Sequence, residues 1–211
     1  RKIAILSSLI SGHQVDFEDI YTEGITQITK EDMMYAKEMK MTIKLLASSK
    51  RDGDHLHAIV APALLGNEHP LYSVNGVFNA VFVNGNMLGD AMFYGSGAGK
   101  LPTASAVVAD VVDEAKHLHR NIMTMWKQEK LTLEDKGDAK RRFFIRMKGD
   151  EEEMRKDLEY SFGEIEIVKV PGLEGEFGIV TPVMMEGDYD TRANRYKDQI
   201  LHMIRIEDQK A

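Results

Sequence analysis

The 211-residue chain has no cysteine, one tryptophan, five prolines and no apolar run long enough to cross a bilayer. Without cysteine there is no disulfide, no thiolate nucleophile and no cysteine-ligated zinc. This suits a reducing compartment, and the chain is expected in the cytoplasm. A membrane helix needs about 20 consecutive apolar residues, so no membrane partner is expected. Positive charge is in deficit: 27 Lys and Arg stand against 34 Asp and Glu, a net charge of -7. No broad basic surface follows, and no nucleic-acid partner is expected. What remains, 43% hydrophobic and 29% charged, fits one large or two modest globular domains.

Seven histidines invite a search for metal ligands. His55 and His57 are two apart and share one face of a strand. His117 and His119, two apart on a helix, diverge. No His-Glu-x-x-His frame occurs, and no metal site is expected. The Lys140-Arg141-Arg142 cluster reads as the charged end of a linker. Glu151-Glu152-Glu153 reads as a helix start, where acids favour the dipole.

The densest signal lies at Phe93–Ala106, FYGSGAGKLPTASA. Gly95, Gly97 and Gly99 precede a Pro-Thr pair and a helical pattern over Thr103–His119, with Val107, Val108, Val111, Val112, Ala115 and Leu118 at helical spacing. Such a turn presents bare backbone N–H groups beside the positive end of a helix and suits an anion or a flat ligand. The same residues also serve simply to end a strand and start a helix. A phosphate-cradling loop is excluded, because Tyr94 and Leu101 occupy its required Gly and Ser/Thr positions. A dinucleotide fingerprint from Gly95 fails at Lys100.

Around this turn the chain divides in two. Residues 1–11 read as an apolar helix ending at Gly12. Arg1-Lys2 runs straight into that helix, and further chain is expected upstream. Asp16–Ile25 reads as irregular. Thr29 caps a helix to Met39, with Asp32 in a near capping-box position. Strands follow at Met41–Ser48 and Leu56–Pro62 around an Arg51–Asp54 turn, then at Phe78–Val83 and Met87–Tyr94 around Asn84-Gly85-Asn86. Charge rises over Met125–Lys140, a linker. Phe143–Met147 (strand), Asp150–Phe162 (helix), Ile165–Val170 and Gly178–Met184 (strands), Asp190–Gln199 (helix) and Ile200–Ile206 (strand) give the split βαβ, ferredoxin-like order. The expected fold is α+β: a mixed sheet covered by helices over 1–124, a linker over 125–140, and a βαββαβ unit over 141–211.

Lys2–Leu6, Glu23-Gly24-Ile25, Ile43–Ala47, His69-Pro70-Leu71, Asn79-Ala80-Val81 and Gly97–Ala104 resemble, in order and spacing, homoserine dehydrogenase. The resemblance covers roughly residues 1–124, and its most specific part is Gly-Ala-Gly-x-x-Pro-Thr-Ala. The tail resembles the ACT domain of many bacterial members. The family's amino-terminal Rossmann domain has no counterpart here. The resemblance implies reversible hydride transfer between NAD or NADP and a small-molecule substrate, homoserine or aspartate 4-semialdehyde. It places the catalytic lysine on Lys2, which is otherwise a helix-surface residue. It lays Gly97, Gly99 and Thr103 against the cofactor. It implies a homodimer formed through the sheet of residues 41–94. The isolated chain is expected to be inactive, and a non-catalytic dimerisation or amino-acid-sensing ACT module is the alternative. Members whose ACT domain binds amino acids place Pro-Gly in the first turn. Glu152 and Glu153 align there, so threonine is expected to bind weakly or not at all, unless Gly149 serves as the close-approach glycine.

Overall fold

In a computed structural model, residues 1–53, 55–123 and 125–208 are described. The elements in chain order are α1 (Lys2–Ser11), β1 (His13–Gln14), β2 (Tyr21–Thr22), α2 (Lys30–Glu38), β3 (Met41–Asp52), β4 (His55–Gly66), β5 (Phe78–Gly85), β6 (Gly89–Ser96) and α3 (Lys100–Lys116). After them come β7 (Lys127–Lys130), β8 (Lys140–Lys148), α4 (Glu151–Phe162), β9 (Glu166–Val168), β10 (Glu176–Val180), β11 (Met184–Met185), α5 (Glu186–Ala193) and β12 (Ile200–Glu207). Contacts group them into two compact units. One joins Arg1–Gly66 to the chain from Met125 onward, and the other is Asn67–Thr124.

The larger unit is organised by one mixed sheet. Strands β3 and β4 form a hairpin paired from Met41↔Gly66 to Asp52↔His55. It runs to Asp52, beyond the expected Ser48; Gly53 then turns with φ 61°, and Asp54 lies outside the described residues. Strand β4 also continues past Pro62, where it was expected to end. Proline removes a ladder donor, and Pro62 sits where the neighbour on that side changes: Ile59 and Val60 pair with β2, and Ala63–Leu65 pair in parallel with β12. From β12 the sheet continues antiparallel through β8, β10 and β9. Helix α4 joins β8 to β9, and β10 lies between them, which is the split βαβ arrangement. The mixed sheet and the βαββαβ unit are thus one continuous sheet, joined at three residue pairs between β4 and β12.

Alternation along β8 explains how this sheet buries both faces. Phe143, Ile145 and Met147 face α4 and α5, and pack with Leu158, Phe162, Phe177, Ile179, Tyr189 and Tyr196. Phe144 faces α2, and packs with Tyr35, Ala36, Leu64, Val180, Ile204 and Ile206. Each such large side chain contributes about 1.5–3 kcal/mol on burial, so α2 is held mainly by this layer. Its start is the capping box expected from the sequence: Asp32 N–H donates to Thr29 Oγ1 and Thr29 N–H to Asp32 Oδ2. A third cluster, Ile3, Ala4, Val15, Ile20 and Leu56, docks α1 against β4.

The 125–140 segment, expected as a linker, is pinned to the N-terminal elements. Strand β7 pairs with β1, Trp126 Nε1 donates to Gln14 Oε1 at 2.9 Å, and Lys130 bridges Asp16 and Asp19, each at 2.9 Å. The charges that read as a linker are partly engaged in these pairs. The compact units divide after Gly66 and after Thr124, so the expected boundary at 124 coincides with one division, while none falls at 141.

In the smaller unit β5 and β6 pair from Phe78↔Ser96 to Gly85↔Gly89. The connecting turn lies at residues 86–88, later than the expected Asn84–Asn86. Gly89, at φ 69°, supplies the left-handed residue that a three-residue hairpin loop needs. Phe78 and Tyr94 stack at 4.9 Å between ring centroids. Helix α3 begins three residues before the expected Thr103. Pro102 falls in its first turn, where a missing N–H costs nothing.

Candidate functional site

Lys2 is the first residue of α1. Its side chain is exposed, while the next two residues, Ile3 and Ala4, are buried. The helix beneath it is anchored at several points. Ser8 Oγ accepts from Val15 N–H at 3.0 Å and donates to Ala4 O at 2.9 Å. Ser7 Oγ donates to Ser49 Oγ on β3 at 2.8 Å, and Arg51 Nη1 donates to Ile10 O. Gly12 closes the helix at φ 73°, with its N–H on Ser8 O. The guanidinium of Arg1 stacks on Phe17 at 4.6 Å. A lysine ammonium with three donors is thus carried at the exposed end of a rigid, docked helix.

The glycine turn belongs to the smaller unit. Gly97 N–H donates to Val77 O at 3.0 Å, and a Cβ added at Gly97 would lie 1.6 Å from Asn79 Nδ2. Only glycine fits beside that amide. Gly99 caps α3 at φ 123°, which L side chains rarely adopt. No side chain caps α3, no acid lies in its first turn, and Thr103 N–H is the first to bond back, to Gly99 O. The N–H groups of Lys100 and Leu101 therefore stand at the positive end of the helix without a helical partner. Gly97 and Gly99 lie in the turn between β6 and α3, and Thr103 follows in the first turn of the helix. This donor set fits the polar, anionic portion of a dinucleotide. Lys2 lies in the other unit.

Two of the histidines singled out from the sequence are engaged structurally. His55 pairs with Glu134, and His117 Nδ1 lies 2.9 Å from Asp113 O. Among the described residues no group of three His, Asp or Glu side chains is placed to hold a metal ion. The basic cluster forms ion pairs: Arg141 with Glu186 and Glu207, and Arg142 with Glu166 and Asp208.

Two buried charge clusters were not visible in the sequence. Asp32, fully buried, takes Arg146 Nη1 at 2.7 Å and His202 Nδ1 at 2.8 Å besides its capping bond. Burial opposes its charge, but the His202 and Thr29 hydrogen bonds, with the His202 and Arg146 charges, hold its carboxyl below the usual range. Arg205, 3% exposed, binds Glu186 Oε1 and Glu23 Oε2, each at 2.7 Å; Lys136 adds a bridge to Glu186 at 3.3 Å. These partners lie up to 182 residues apart. No local pattern signals such pairs.

The turn from β8 to α4 is Gly149-Asp150. Gly149 has φ 132° and donates its N–H to Gly175 O at 2.8 Å. Glu151–Glu153 sit in the first helical turn, one step beyond the turn to which they had been aligned. Asp150 Oδ1 caps the N–H groups of Glu152 and Glu153.

A family description of homoserine dehydrogenase matches residues 1–112. The homoserine dehydrogenase of Bacillus subtilis is 44% identical over 122 residues, 58% of this chain and 28% of that protein. That of Helicobacter pylori is 37% identical over 146 residues, 69% of this chain and 35% of that protein. The chain therefore spans about a third of the curated relatives it matches. Among solved structures, a homoserine dehydrogenase from Thiobacillus denitrificans superposes with a TM-score of 0.81 at 30% identity, over 98% of this chain and 52% of that one. The S. aureus enzyme, at 23% identity and a TM-score of 0.73, shares the fold. With its matched segment running from the lysine of α1 into α3, the chain belongs to the homoserine dehydrogenase family.

Proposed function

We propose that this chain supplies the catalytic and regulatory portion of an NAD- or NADP-dependent homoserine dehydrogenase, interconverting L-homoserine and L-aspartate 4-semialdehyde in threonine and methionine biosynthesis. The observation that carries this is the family match over residues 1–112, which contains both Lys2 and the glycine turn. The cofactor, when bound, supplies or accepts the hydride. Lys2 then does the proton chemistry. Its ammonium gives the carbonyl oxygen the proton it must gain as aldehyde becomes alcohol, and recovers it in reverse. Gly97 and Gly99 keep side chains out of the approach to α3. The Lys100 and Leu101 N–H groups and Thr103 would receive the cofactor's polar atoms.

The chain has no Gly-x-Gly-x-x-Gly fingerprint, so the nucleotide must be held largely by another segment. The isolated chain is expected to show no homoserine oxidation with NAD or NADP. Turnover on the order of 10 per second from the purified chain would contradict this reading.

We place the functional modules at 1–124 (catalysis and dimerisation), 125–140 (connection) and 141–211 (ACT-like), in a cytoplasmic homodimer. The dimer reading is supported by apolar strand residues left exposed, Leu45 on β3 and Val81, Met92 and Phe93 on the β5–β6 hairpin. Sedimentation at tens of micromolar, roughly what a stable interface requires, should give twice 23.8 kDa. A monomer alone would count against it.

Threonine is expected to bind the ACT-like unit with a dissociation constant above about 1 mM. The first-turn N–H groups of α4 that would meet an effector carboxylate are already taken by Asp150, and Glu152 and Glu153 add like charge. Calorimetric titration with L-threonine checks this, and a tighter constant would show an intact effector site.

A further inference from the structure

Helix α1, Lys-Ile-Ala-Ile-Leu-Ser-Ser-Leu-Ile-Ser, is apolar on nearly every side. Hydrophobic burial alone does not decide which side faces the sheet. The structure makes a choice that burial would not favour: Ser7 and Ser8 are buried, at 0% and 2% exposure, while Ile5, Leu9 and Ile10 remain about half exposed, at 55%, 44% and 51%. Some polar contact must compensate, because a buried hydroxyl without a partner is costly. Ser8 is satisfied locally, by Ala4 O and Val15 N–H. Ser7 is different. Its hydroxyl leaves the helix and meets Ser49 Oγ on β3 at 2.8 Å.

We infer that the Ser7–Ser49 hydroxyl pair sets the rotation of α1 on the sheet, making Ser7 and Ser49 positioning residues for Lys2. This rests on the proton-transfer role given to Lys2 above. A partly buried polar contact in a mostly apolar interface favours one register among several of similar hydrophobic energy; the exposed bond from Arg51 to Ile10 O also joins β3 to α1, but its acceptor is a backbone carbonyl at the far end of the helix. Here the register is rotational. A shift by one residue turns a helix by about 100°, which would bring another apolar stripe inward and swing Lys2 away from its direction. Misplacing a reacting group by about 1 Å can cost on the order of 10²-fold in rate. Ser7 touches no substrate; it acts through the helix that carries Lys2.

The test uses the complete enzyme and four variants. Ser49→Thr keeps the hydroxyl on a strand that accepts β-branching. Ser49→Val keeps the shape without the hydroxyl. Ser7→Ala/Ser49→Val removes both polar partners, which restores stability when a lone buried hydroxyl was the defect. Lys2→Ala reports on the underlying role. The expected result is kcat near wild type in Ser49→Thr and about tenfold or more lower in Ser49→Val, with KM for homoserine within about twofold. In the double variant the melting temperature should recover while kcat stays low. The inference is overturned by a kcat that recovers together with the melting temperature, or by Ser49→Val matching Ser49→Thr. Lys2→Ala with unchanged kcat would instead overturn the role of Lys2 itself, and with it anything for the pair to position.

Discussion

Replacing Lys2 by alanine in the complete enzyme is expected to lower kcat by about 10²–10⁴-fold, with little change in KM for homoserine. The expectation starts from position. Lys2 opens α1 and is exposed, but the backbone under it is fixed by Ile3 and Ala4, buried against Val15, Ile20 and Leu56. Its ammonium makes no ion pair or hydrogen bond among the described residues, so no structural partner is lost when it is removed. A surface lysine in this setting would change stability by a fraction of a kcal/mol and leave the rate alone. A proton donor acts on the oxygen only as the carbonyl is reduced, so its loss falls on kcat. Steady-state kinetics of the variant decide between the two. A kcat within about threefold of wild type would return Lys2 to the helix surface.

The second large effect is on stability. Replacing Arg205 by methionine should lower the unfolding free energy by about 3–5 kcal/mol, the usual cost of removing one partner from a buried ion pair. Arg205 sits between Glu186, fully buried, and Glu23, and its guanidinium lies over the Tyr21 ring at 5.4 Å. Removing it leaves Glu186 to Lys136 and Arg141 at 3.3 and 3.6 Å, longer and poorer contacts than the 2.7 Å pair. The same network sets a pH dependence. Burial disfavours the charged Glu186, but Arg205 first, then Lys136 and Arg141, outweigh it and lower its pKa below 4.5. A carboxylate depressed in the folded state contributes stability that is complete above its unfolded pKa and is lost as pH falls through the folded one. Asp32 adds to the trend in the same direction. Denaturant titrations should therefore show stability falling below about pH 4.5, less steeply in the Arg205 variant. A loss under about 1 kcal/mol would mean that the network contributes little.

Legibility in the sequence followed the range of the interactions. Helix α2 could be read because its capping box lies within four residues, and α1 because Gly12 supplies a left-handed stop. The βαββαβ order of the C-terminal half could be read because alternation and helical spacing are local signals. What stayed hidden is what crosses the chain. The parallel pairing of β4 with β12 joins residues 63–65 to 205–207 and merges two expected modules into one sheet. Asp32 shows both sides at once: its capping role was legible from Thr29, but its pairing with Arg146 and His202, 114 and 170 residues away, was not. At the candidate site the glycine turn was legible because Gly97 and Gly99 each answer a local constraint. The role proposed for Lys2 is not legible from its own surroundings and rests on family resemblance. The run of three glutamates drew the expected first turn one step past Gly149-Asp150, and Gly149, named only as the alternative, is the residue that makes the turn.

The most direct measurement is homoserine oxidation by this chain after it is fused, upstream of Arg1, to the nucleotide-binding segment of a relative such as the Bacillus subtilis enzyme. The expected result is NAD- or NADP-dependent turnover on the order of 1–10 per second, absent from either piece alone and abolished by Lys2→Ala. A folded fusion that binds the cofactor but leaves homoserine unoxidised would contradict the assignment of catalysis to this chain.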